Sequence, residues 1–152
     1  MAIKNFARVA APAYVHASGN ADPREAVTNA LQKILSDILF EAESAVRHLP
    51  PGADRVCQGL DAYLDGCLRR PSMRVLLAAL DGYPRAQDIL KSTREQHQQQ
   101  LAADLHEMSV PLATAHARLI GAMARETHRA ECEAGGPLAI FRDLLYQHIG
   151  AL

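Results

Sequence analysis

A chain of 152 residues has room for one domain that buries most of its apolar surface. Its 16 basic and 17 acidic residues nearly cancel, and no basic run exceeds Arg69-Arg70, so the concentrated positive face that draws affinity from phosphates is missing. Apolar residues reach 49%, aromatics only 5% with no tryptophan, and no run approaches the ~18 apolar residues that span a bilayer.

Alanine and leucine dominate, and β-branched residues are scattered rather than alternating, which favours an all-α fold. Three cysteines, Cys57, Cys67 and Cys132, form no disulfide framework and fit a reducing, cytoplasmic setting. Residues 1–21 carry Lys4, Arg8 and the patch VAAPAYV. That patch is too short and too interrupted by proline for a secretory signal, and the segment reads as a leader or remnant.

Six helical segments follow. The first runs from Pro23 to His48: Asp22 is the N-cap, Pro23 takes the first helical position, and Glu25 suits the positive end. Val27, Ala30, Leu31, Ile34, Leu35, Ile38, Ala42, Val46 and Leu49 keep the spacing of one buried face, until PPG at 50–52 stops the helix. The second, Ala53 to Leu68, carries Val56, Leu60, Tyr63, Leu64 and Cys67 on one side. Cys57 and Cys67, ten apart and on almost the same helical face, read as small buried groups. The third, PSMRVLLAAL, is nearly all apolar after Arg74 and is expected to be enclosed by other helices.

The fourth, Pro84 to Met108, is the most polar, with a solvated run KSTREQHQQQ and an inward stripe of Ala86, Leu90, Thr93, His97, Leu101 and Leu105. The fifth follows Pro111 and ends at GGP. Leu112, His116, Leu119, Ile120 and Met123 make its apolar stripe toward the core. Beside that stripe lie Ala113, Ala117, Gly121 and Ala124, small residues that let another helix approach closely. A plainer alternative is that alanine is a good helix former and Gly121 a tolerated blemish. The sixth helix, Pro137 to Ile149, is apolar on two sides, through Phe141, Leu144 and Leu145 among others, and needs more than one packing partner.

Enzyme signatures are missing: no phosphate-cradling glycine loop and no HExxH occur, so no catalytic residue and no cofactor is assigned. His128 and Cys132 stand four apart and could present nitrogen and sulfur on one face, but two ligands are fewer than zinc requires. They are weak metal candidates, and a metal- or haem-binding helical protein is the alternative reading.

The run VCQGLDAYLDGCLRRPSMRVLLAALDGYPRAQDILKSTREQHQQQLAADL resembles the regulatory domain of TetR-type (tetracycline-repressor-like) transcriptional regulators. The tail ARLIGAMARETHRAECEAGGPLAIFRDLL resembles that family's last two helices. The likeness covers residues 22 to 150, in pattern rather than by an invariant motif, and specifies fold better than ligand. It implies a six-helix domain whose last two helices pair with a second copy in a four-helix bundle. Ala113, Ala117, Gly121, Ala124, Phe141, Leu144 and Leu145 would form that interface.

The resemblance further implies a cavity for a small apolar or mixed-polarity ligand, flanked by His97 and His116 with Tyr63, Thr93 and Met123 as neighbours. A buried imidazole without a partner costs about 1–3 kcal/mol, so each histidine has an internal partner, sits at a wet rim or faces a ligand. In the family a three-helix DNA-binding head precedes the first long helix. YVHASGNADPREAV is similar to that junction, with Tyr14 and His16 in fitting places and Ala17 where an aromatic is usual. An eroded remnant and a coincidental leader both remain open. Residues 1–21 are too short for a helix-turn-helix, so DNA binding by this chain alone is not expected. A homodimer is expected, with a heterodimer containing a full-length relative as a further option.

Overall fold

The computed structural model describes residues 22–152; the expected leader at 1–21, with Tyr14 and His16, lies outside the described residues. These fold into six helices and no strand: α1 Pro23–Val46, α2 Ala53–Leu68, α3 Ser72–Ala79, α4 Pro84–Glu107, α5 Ala113–Ala134 and α6 Ala139–Gly150. The all-α expectation holds, and every predicted helix is present with ends shifted by no more than two residues.

Local chemistry sets those ends. Asp22 Oδ1 accepts from the Arg24 N–H at 3.0 Å, and Pro23 opens α1 where a backbone donor would have no partner. At the end of α4 the Val110 N–H donates to Leu105 O at 3.0 Å and the Ser109 N–H to His106 O at 2.9 Å. That pair of bonds is a Schellman cap, with Ser109 holding the left-handed position (φ 61°) that usually selects glycine. Val110 and Leu105 supply its apolar contact in the core. Gly135, at φ 75°, ends α5 in the same left-handed region.

The chain buries two separate apolar clusters. One joins α2, the end of α4, α5 and α6 through Val56, Leu60, Leu64, Leu105, Ile120 and Leu145. The other joins α1, α3, the end of α2 and the start of α4 through Leu31, Ile38, Cys67, Met73, Leu76 and Ala86. Gly66 lets α1 come close to α2: a Cβ there would meet Ile38 Cγ2 at 3.2 Å. Tyr63 packs against both clusters and is the side chain that bridges them.

Three expectations need correction. Helix α3 is not enclosed: only Met73 and Leu76 within it are buried and Val75 faces water, because α3 lies mainly on α1. Cys57 is half-buried and belongs to the first cluster, whereas Cys67 is buried in the second. Ten residues advance a helix by about 2.8 turns, which leaves the two thiols on different faces. Helix α5 is turned from its expected orientation. Ala117, Ile120, Ala124, Thr127 and Glu131 point inward, while Leu112 and Leu119 are exposed.

Candidate functional site

Where the two clusters fail to merge, a cleft of about 120 Å³ opens between α1, α2, α4 and α5. Its wall includes Leu35, Leu60, Leu90 and Leu101, and its polar groups include Tyr63, Thr93 and His97. The opening has a sequence cause. Midway along α4 the inward stripe changes from Leu90 to Thr93, His97 and then Leu101, and opposite it α5 presents Ala117, Gly121 and Ala124. Polar and small groups stand where two large apolar side chains would have closed the gap. A second cleft, of about 180 Å³, lies on the other side of His97 and Leu101 and is walled by Val46, Val56 and Asp104.

The Tyr63 and His97 rings lie 5.3 Å apart between centroids, tilted by 46°. Among the described residues no hydrogen-bond partner for His97 is present. Burial pushes its imidazole below the ordinary value near 6.5, so the ring is neutral at pH 7 and keeps one donor and one acceptor for whatever enters. Burial pushes the Tyr63 phenol upward, opposed by the positive fields of Arg125 and Arg94.

Three of the five pocket residues expected from sequence therefore meet in one place: Tyr63, Thr93 and His97. His116 and Met123 do not line this cleft. Met123 packs on the first cluster, and His116 lies beside His148 of α6, with ring centroids 5.7 Å apart and planes tilted by 37°. His116 Nδ1 and His148 Nε2 are buried with no hydrogen-bond partner among the described residues. The turn of α5 explains the displacement, since it places His116 toward α6 rather than α4.

The small-residue stripe does allow close approach, but to α4 of the same chain. Ala117 and Ala124 are buried within one molecule, and Gly121 faces Gln98. Leu145 is also buried in the single chain and Phe141 is half-buried, so of the expected interface Leu144 remains outward. Leu144 is 54% exposed, and Ile140 (68%), Leu119 (47%) and Leu112 (78%) join it as large apolar groups in water on α5 and α6. Leu112 also holds a left-handed φ of 54° just before α5.

Sequence reading missed a buried ionic cluster. Glu131 of α5 is fully buried and accepts from Arg142 Nε at 2.6 Å, Arg142 Nη2 at 3.0 Å and the Leu138 N–H at 3.1 Å. Arg142 also reaches Asp61 at 3.0 Å and Asp65 at 2.9 Å on α2, and Tyr146 donates to Asp61. One guanidinium thus ties α2, α5 and α6 together, and its charge is held most strongly by the Glu131 carboxylate. A single glutamate falling on the same helical register as Ile120, Ala124 and Thr127 was the available signal. Its partner stands eleven residues on, across the GGP turn, where periodicity has no reach.

His128 and Cys132 do touch, with Sγ 3.5 Å from Nδ1. Burial lowers the imidazole and raises the thiol from their ordinary values, so neither carries charge near pH 7. Among the described residues no group of three or more His, Cys, Asp or Glu side chains is placed to hold a metal ion. No described helix is long and apolar enough to cross a membrane. Compared with protein-family models, curated proteins and solved structures, the chain finds no match.

Proposed function

We propose that this chain is a small-molecule-sensing and dimerisation domain of the TetR regulatory type, acting on transcription without itself binding DNA. The observation that carries the reading is the cleft at the seam of the two apolar clusters, where the neighbouring Tyr63 and His97 rings stand among leucines with Thr93 beside them. Apolar walls with a few convergent polar groups are the usual composition of a ligand pocket. The exposed apolar groups of α5 and α6 support pairing with a second copy, or with a full-length relative that carries the DNA-contacting head. The near-cancelling charge supports the absence of direct DNA binding.

Ligand-observed NMR titration with benzyl alcohol tests the pocket. His97→Ala weakens binding, and His116→Ala, outside the cleft, leaves it unchanged. Unaltered affinity in His97→Ala removes the assignment.

A further inference from the structure

The charged lining of the cleft has one sign. Arg94 of α4 and Arg125 of α5 line it, and no carboxylate does. Of the other arginines among the described residues, Arg55, Arg69, Arg70, Arg85, Arg129 and Arg142 each stand within ion-pair distance of an acidic side chain, whereas Arg24, Arg47, Arg74 and Arg118 enter no ion pair and line no part of the cleft. Arg94 and Arg125 enter no ion pair among the described residues. Both are exposed, which places them at the mouth of the cleft.

Arg125 does not simply trail into solvent. Its Nη1 and the Gln98 amide each lie 3.6 Å from where a Cβ on Gly121 would stand, so the guanidinium folds back over the seam between α4 and α5. The positive fields of both arginines reach the Tyr63 hydroxyl inside. An apolar interior with two uncompensated cations at its rim is complementary to one kind of guest.

Resting on the ligand-cleft reading above, we infer that the cleft takes a small amphipathic carboxylic acid, its apolar body among the leucines and its carboxylate between Arg94 and Arg125. The planar guanidinium fork matches a carboxylate through two parallel N–H···O bonds. Size bounds the guest: benzene occupies a cavity of ~150 Å³, so a single ring or a short alkyl chain suits this one, at about 120 Å³. The neutral His97 ring offers no competing charge deeper in.

The test is a ligand-observed NMR titration of the full chain with benzoate and hexanoate against their uncharged counterparts, benzyl alcohol and 1-hexanol. The acids are expected to bind about tenfold more tightly, a preference that shrinks as salt is raised. Arg94→Gln/Arg125→Gln brings the acids down to the affinity of the alcohols and leaves the alcohols where they were; far-UV circular dichroism verifies that the variant is folded. Equal affinities for acids and alcohols overturn the anion preference and leave the cleft reading standing. An acid preference that survives in the double variant overturns the assignment to these arginines. Binding of neither class overturns the anion preference and the cleft reading together.

Discussion

Arg142 shows how much one side chain can organise. A buried ion pair is weak evidence of net stability, yet removing one partner leaves an uncompensated charge in the interior. Arg142→Met is therefore expected to destabilise the fold by about 3–5 kcal/mol in urea unfolding. Glu131→Leu/Arg142→Met should recover most of that loss, since Asp61 and Asp65 retain access to water. His97 acts at the same scale through its proton. Burial depresses its folded-state value, so the unfolded chain takes up a proton at higher pH than the native one. The stability it contributes is complete above the ordinary histidine value near 6.5 and is lost as pH falls below it toward the depressed folded value. Urea midpoints compared between pH 7.5 and pH 5.5 should drop in the native sequence, and drop less in His97→Leu.

Among the elements, α5 separates what periodicity reveals from what it hides. Its extent was legible, because Pro111 and GGP punctuate it and the apolar spacing between them is helical. Its orientation was not. Two stripes compete around its circumference, and the large apolar one was expected inside. The fold instead places Ala117, Gly121 and Ala124 against α4, since small residues allow two helix axes to close up, and leaves Leu112 and Leu119 outside. The reach of α4 toward the cleft was readable because its single stripe runs through Thr93 and His97 with no rival face. Two glycines make the packing difference measurable. A Cβ on Gly121 meets nothing closer than 3.6 Å, so Gly121→Ala should gain helix propensity and stabilise by up to about 1 kcal/mol. A Cβ on Gly66 meets Ile38 at 3.2 Å, so Gly66→Ala should gain nothing or lose stability. Thermal unfolding of the two variants side by side checks this contrast.

At the scale of the whole molecule, the proposed function divides between the seam of two apolar clusters and the apolar groups that α5 and α6 leave exposed. Had the clusters merged, the chain would be a filled bundle with no room for a guest; Tyr63 spans them, and the cleft lies in the gap that remains. On and beside α5 and α6 four large apolar groups are exposed, Leu112, Leu119, Ile140 and Leu144, as are Phe40 of α1 and Val75 of α3. Such groups gain from leaving water, and a stable pairing should bury more than about 1,000 Å² in total. The measurement that bears most directly on this division is native mass spectrometry of the freshly purified full chain at micromolar concentration. The expected species has twice the chain mass and carries a small acidic adduct, while Leu119→Glu/Leu144→Glu runs at the single-chain mass with the adduct retained. A native chain that flies as a bare monomer, or a double variant that still pairs, contradicts the account.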